Sequence, residues 1–125
     1  TILSIQTEHQ EQCTVIQYFD LKYKEHRGRL FAIPNGSYKS RAAASSSKRE
    51  GLRAGVPDLM LPVARKVYHG LFIEMKRTKG SITSKEQKDW HEYLNGQGYL
   101  CVVCKGAQSA IYVIDDYMMP QNTAP

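Results

Sequence analysis

The chain is 125 residues long, 42% hydrophobic and 23% charged, with a formal net charge of +5. That is one domain's worth of polypeptide with enough apolar content for a core, which excludes a disordered tail protein. No apolar run nears the ~20 residues of a membrane-spanning helix. The first predicted element is a helix over 7–27, capped by Thr7 with Gln10 as its capping-box partner. Val15, Tyr18, Phe19 and Tyr23 form an apolar stripe at helical spacing, with Cys13, Ile16 and Leu21 partly off it and Cys13 assigned to the core. Gly28 ends the helix. Leu30, Phe31, Ala32 and Ile33 predict a short strand, stopped by the turn signature Pro34, Asn35, Gly36.

Residues 37–54 are rich in Ser, Ala, Lys and Arg, and fit either a basic loop or a short helix over 40–50. A second strand opens at Asp58 and ends near Val63. Leu71, Phe72, Ile73, Glu74, Met75 and Lys76 predict a third, paired with the second as a hairpin. A second helix spans 84–95, with Ser84 and Gln87 as its capping box and Trp90 and Leu94 as its apolar edge. Gly96 and Gly98 end it. Residues 99–104 predict a fourth strand, apolar throughout and so expected to be covered on both faces. A last helix covers 107–118, with Ala110, Ile111, Ile114 and Tyr117 facing inward. The order is α-β-β-β-α-β-α in a single domain over 1–118, followed by a flexible tail over 119–125.

The charge is unevenly placed. Residues 22–53 carry nine Lys and Arg against two acids, whereas residues 1–21 carry three acids and no Lys or Arg. Such a basic block suits a polyanionic partner, nucleic acid above all, or serves only solubility. Three cysteines, an odd and low count, argue against a disulfide framework and for a reducing compartment. The start of the chain lacks a secretory layout, and the expected location is cytoplasmic. Cys101 and Cys104 form a lone C-x-x-C whose side chains a strand sends to opposite faces, so zinc and redox readings are poor. Neither a GxxxxGK nor a GxGxxG loop is present, and no small-molecule cofactor is expected.

Chemistry concentrates between Gly55 and Lys76. Glu74 and Lys76, two apart on one strand, share a face, while Leu71, Ile73 and Met75 point into the core. Charge on an apolar strand is costly unless it is paired, metal-bound or at the open end of the sheet. Asp58, at the start of the neighbouring strand, lies where its carboxylate and that of Glu74 would converge on one ion. Two close carboxylates repel, and a hard divalent cation relieves the repulsion, with oxygen ligands favouring Mg2+ or Mn2+ over zinc. Lys76 beside such an ion would orient or deprotonate a water. The alternative is a surface Glu–Lys pair with Asp58 as a turn residue.

The motifs Gly55-Val56-Pro57-Asp58 and Glu74-Met75-Lys76 match the PD…(D/E)xK pattern of the restriction-endonuclease-like superfamily. Thr7-Glu8 through Gln12, Ile33-Pro34-Asn35-Gly36, the run from Gly51 to Asp58, His69 through Lys76, Thr83-Ser84-Lys85-Glu86-Gln87, and Trp90, Leu94, Gly98 and Tyr99 resemble the virus-type replication-repair nuclease (VRR-NUC) family over residues 7–117. The resemblance implies an α/β restriction-endonuclease-like core, a central mixed sheet flanked by helices. It implies metal ligation by Glu8, Asp58, Glu74 and the backbone carbonyl of Met75, with Lys76 as catalytic lysine and Gln87 beside it. Glu11, about one turn from Glu8, is an alternative or a support. Gln87 has a second reading as capping partner alone, Glu8 as a helix N-terminal acid, and Asn35 and Gly36 as turn residues.

The expected function is a Mg2+- or Mn2+-dependent DNA endonuclease, with Asn35, Lys39, Arg41, Lys48, Arg53, Arg77 and Lys79 holding the phosphate backbone. A chain this short has little surface for reading bases, so shape recognition is favoured. Stand-alone members of the family resemble homodimeric four-way (Holliday) junction resolvases, which points to branched DNA, a twofold dimer and a phage-encoded or bacterial origin. Tyr18, Phe19, Tyr23 and Tyr38 are candidates for the dimer surface. The rival readings are a flap or restriction-type nuclease using the same site, and a DNA-binding module without catalysis.

Overall fold

A computed structural model describes residues 7–34 and 48–120. Helix α1 (Glu8–Lys22) leads through a 3-10 turn (Lys24–His26) to strands β1 (Phe31–Ala32), β2 (Leu59–Leu61) and β3 (Leu71–Lys76). Helix α2 (Lys85–Gly96), strand β4 (Leu100–Lys105) and helix α3 (Ala107–Met118) follow, in the expected order. The four strands form one mixed sheet in the order β1-β2-β3-β4, antiparallel except for the parallel β3–β4 pair. The connections dictate this. A tight turn closed by the Arg65–Tyr68 bridge reverses the chain between β2 and β3, whereas α2 carries it across to enter β4 in parallel.

Strand alternation divides the core. Leu71, Ile73 and Met75 join Leu59, Leu61, Val15, Phe19, Ala110, Ile114 and Tyr117 between the sheet and helices α1 and α3. On the opposite face Phe72 packs with Leu94 and Cys101 beneath α2. Each fully buried Leu, Ile or Phe side chain contributes ~1.5–3 kcal/mol, so the larger cluster carries most of the fold. Cys101 and Cys104 fall in different clusters, on the opposite faces their spacing predicts. No described helix is long and apolar enough to cross a membrane.

Several expectations are corrected. Helix α1 stops at Lys22, short of 27, because Tyr23 leaves helical geometry (φ −103°, ψ 69°) and its hydroxyl donates to Asp115 on α3. Tyr18 also donates to Asp115, at 2.6 Å, and Lys22 pairs with it at 3.1 Å. Phe19 is fully buried and so cannot serve as a dimer surface, while Tyr18 and Tyr23 are half-buried with their hydroxyls turned to Asp115. Tyr38 lies outside the described residues. Cys13 is exposed, on the side of α1 away from Val15 and Phe19. Strand β4 is an edge strand. It is buried beneath α2 at Cys101 but exposed at Val103 and Lys105, so it is not covered on both faces. In α3, Met118 takes the buried place expected of Ile111, which is only half-buried. Of the basic segment 37–54 only 48–54 is described, and of the tail only 119–120.

Candidate active site

The site forms where β2 and β3 end against α2. Leu59 is in register with Ile73, which places Asp58 opposite Glu74 and Pro57 opposite Met75. Asp58 is tied down on both sides. Its backbone carbonyl accepts from Ile33 N–H at 2.8 Å, and its Oδ2 accepts from Met75 N–H at 2.7 Å. The N–H and C=O of one strand residue face the same side, so the Met75 carbonyl also opens toward Asp58. Pro57, opposite it, has no N–H to donate, which leaves that carbonyl without a ladder donor from β2. The Pro-Asp dipeptide therefore does two things: it supplies a carboxylate and it spares a carbonyl beside it.

Glu74 shares Phe72's face of β3, at the end where α2 begins, and is 2% exposed. Burial first, then the hydrogen bond and charge of Asp58, push its carboxyl up to about 9, with Lys76 opposing and Glu8 adding to the rise. Glu74 Oε1 is buried without a hydrogen-bond partner. Lys76 is held by α2. Its Nζ donates to Gln87 Oε1 at 2.8 Å and to the Ile82 carbonyl at 3.2 Å. The same Gln87 Oε1 accepts from Ser84 N–H at 2.9 Å, and Ser84 Oγ accepts from Gln87 N–H at 3.1 Å. Gln87 is thus both capping partner and anchor of Lys76. Capping fixes its rotamer, and the fixed rotamer aims its oxygen at β3.

Gly55 brings the Asp58 loop against this helix start. It sits at φ +85°, and a Cβ there would fall 2.5 Å from the Glu86 backbone carbon, so no side chain fits.

A pocket of about 520 Å³ is lined by Glu8, His9, Gln12, Asp58, Glu74, Met75, Lys76 and Gln87. Glu8 reaches it from the first turn of α1. Glu11 does not. Its Oε2 is buried beside Gly106 at the start of α3, where a glycine Cβ would come within 3.3 Å of it. His69, at the other end of β3, packs against Gly98 and Tyr99.

Among the described residues no three His, Cys, Asp or Glu side chains converge tightly enough to hold a metal ion alone. What converges is two carboxylates and a backbone carbonyl. That all-oxygen set, partial by itself, fits Mg2+, which is usually held by one or two carboxylates and completed by waters and substrate phosphates.

Arg77 and Lys79 are exposed on the loop that leaves β3 at Lys76. Lys48 and Arg53 are exposed too, with Arg53 Nη1 donating to the Lys48 and Leu52 carbonyls. Asn35, Lys39 and Arg41 lie outside the described residues. One neighbour of the site escaped the sequence reading. His91, one turn after Gln87 on α2, places Nε2 3.7 Å from Glu74 Oε1. Burial, then Lys76, lower its pKa and so favour the neutral ring. The four-residue spacing from Gln87 was the available signal.

The VRR-NUC domain family matches residues 2–108 of the chain. A solved structure described as a VRR_NUC domain protein superposes with a TM-score of 0.79 at 34% identity, covering 93% of this chain and 91% of that one. No curated protein matches. With the family covering most of the chain and the solved relative sharing its whole architecture, the chain belongs to the VRR-NUC family, a nuclease domain of the restriction-endonuclease-like type.

Proposed function

We propose that this chain is a Mg2+-dependent endodeoxyribonuclease that hydrolyses phosphodiester bonds in branched DNA, acting as a homodimeric four-way-junction resolvase. The observation that carries the hydrolytic reading is the single pocket lined by Asp58, Glu74, Met75, Lys76 and Gln87, with Glu8 facing it from α1. Asp58, Glu74 and the Met75 carbonyl would hold Mg2+ or Mn2+, with Glu8 at the rim. When bound, the ion supplies charge for the scissile phosphate and lowers the pKa of a water.

The chain's own groups do the rest. An ammonium has three donors, and Gln87 and the Ile82 carbonyl engage two of those on Lys76. The third is available for the attacking water or a phosphate oxygen, and the positive charge favours the more highly charged phosphorane-like transition state. Gln87, fixed by the Ser84 cap, keeps the ammonium from swinging away. Products would carry a 5′-phosphate and a 3′-hydroxyl. Arg77 and Lys79, next to Lys76 in sequence, would contact the backbone of the strand being cut.

The junction reading rests on the net charge of +5 and the basic block over 22–53, which suit contacts to the phosphate backbone and to shape. A twofold dimer would set two such pockets on opposing strands. A panel of labelled four-way junction, flap, duplex and single-stranded DNA in Mg2+, run beside sedimentation of the protein, tests it. Paired symmetric nicks in the junction by a dimer support the proposal. Cutting of flaps or plain duplex instead overturns the substrate, and metal-independent binding with no cutting of any DNA overturns the enzyme.

A further inference from the structure

Two buried polar atoms behind the pocket lack hydrogen-bond partners, and they face one another. Glu74 Oε1 and His91 Nε2 are both buried and unsatisfied, and they lie 3.7 Å apart. That is too long for a hydrogen bond, and closing it by less than ~1 Å would satisfy both. A buried polar atom left without a partner is costly, so each of the two gains from the contact the other offers.

The fold explains the alignment. Along β3 the Glu74–Lys76 step rises ~6.6 Å, two residues at ~3.3 Å each. Along α2 the Gln87–His91 step rises ~6.0 Å, four residues at ~1.5 Å each. The repeats nearly match and the two elements run antiparallel. Once Gln87 stands opposite Lys76 at 2.8 Å, His91 must stand opposite Glu74. Helix α2 thus addresses both charged residues of the strand, one rung each. His91 is not among the residues lining the pocket, and its Nε2 meets Glu74 Oε1 at a buried position.

We propose that His91 is a positioning residue: its ring, protonated at Nε2, donates to Glu74 Oε1 when the carboxylate takes up a divalent cation, and so turns the other carboxylate oxygen into the pocket. This rests on the reading of Glu74 as a metal ligand. Ligating carboxylates are themselves commonly hydrogen-bonded from behind, and loss of such a partner lowers metal affinity 10–100-fold.

The test compares His91→Leu, which removes the donor, with His91→Gln, whose amide nitrogen falls near the place of Nε2. Mn2+ binding to the DNA-free protein is followed by electron paramagnetic resonance, with melting in EDTA as the control for folding. His91→Leu should bind Mn2+ about 10–100-fold more weakly than wild type, while His91→Gln stays within about 3-fold. Equal affinity in His91→Leu and wild type overturns the inference. Equal loss in both variants does so too, because a space-filling role fails with either.

A measurement on the wild-type protein does not depend on the variants folding. In 15N-histidine spectra the His91 proton should sit on Nε2 and its resonance should move downfield on Mg2+ loading. A ring protonated only at Nδ1 in the loaded protein refutes the donation. If wild type binds no Mn2+, the metal site itself is refuted and the His91 inference falls with it. That result is distinct from tight wild-type binding that ignores His91.

Discussion

Substituting Gly55 by alanine tests whether the loop carrying Asp58 is seated on the start of α2. Two glycines of this region, Gly51 and Gly55, have left-handed φ values of +103° and +85°. A Cβ at Gly51 meets nothing within 4 Å, whereas at Gly55 it falls 2.5 Å from the Glu86 backbone carbon and 2.7 Å from its oxygen. Both alanines incur the left-handed penalty of about 1–2 kcal/mol, offset by about 0.4–1 kcal/mol from the stiffer unfolded chain. Only Gly55→Ala adds overlap with backbone, which cannot rotate aside and costs about 1–3 kcal/mol more. At roughly 4 °C per kcal/mol, Gly51→Ala should lower Tm by ~3 °C and Gly55→Ala by ~7–15 °C. Gly55→Ala should also cut DNA more slowly well below its Tm, because displacing this loop moves Asp58 relative to Glu74. Thermal melts and cleavage time courses of the two variants give the answer. A Gly55→Ala protein that melts within about 2 °C of Gly51→Ala would refute the close packing of loop on helix.

Further outcomes follow from the same geometry. The Glu74 carboxyl is raised to about 9 from 4.5, so the folded chain keeps a proton that the unfolded chain releases, and metal-free stability falls as pH rises between those values. In EDTA, Glu74→Gln should therefore melt above wild type by a margin that widens from about pH 5 to about pH 8, and a constant margin would contradict the raised pKa. Burial opposes the ionisation of Asp115, yet hydrogen bonds from Tyr18, Tyr23 and Lys22 hold its pKa below the ordinary value. Its contribution is present above the unfolded pKa and is lost as pH falls through the folded one. Asp115→Ala should cost about 2 kcal/mol in urea denaturation at neutral pH and much less in acid. Replacing Arg77 and Lys79 together by alanine should flatten the slope of log affinity against log salt by about 2 for DNA, with no change in melting temperature.

How much of this was legible in the sequence depends on whether a local or a long-range interaction decides each element. The start of α2 was legible because Ser84 and Gln87 settle it between themselves, and β3 because it is a strand-length, mostly apolar run bounded by Gly70 and the polar residues after Lys76. The end of α1 was not, since Tyr23 leaves the helix toward Asp115, 92 residues away. Cys13 was misplaced because an apolar residue beside a stripe does not tell which flank the sheet covers. The exposure of Val103 depends on how much of β4's outer face α2 covers, which no window around β4 contains.

At the site, the motif positions Asp58, Glu74, Met75 and Lys76 come together as their spacing implied. That Glu8 lines the pocket while Glu11 lies against Gly106 follows from the packing of α1, which only the three-dimensional arrangement reveals. Gln87 does more than cap the helix, because one carboxamide oxygen serves Ser84 and Lys76 at once.

The central claim is that hydrolysis occurs at the pocket where Lys76 meets Asp58 and Glu74. The most direct test is a single-turnover cleavage assay of a labelled four-way junction in Mg2+, with wild type and Lys76→Ala matched for bound DNA. The account predicts that Lys76→Ala binds the junction comparably and cuts it at least about 100-fold more slowly, and that EDTA abolishes cutting by wild type. A Lys76→Ala protein that cuts at the wild-type rate would contradict it.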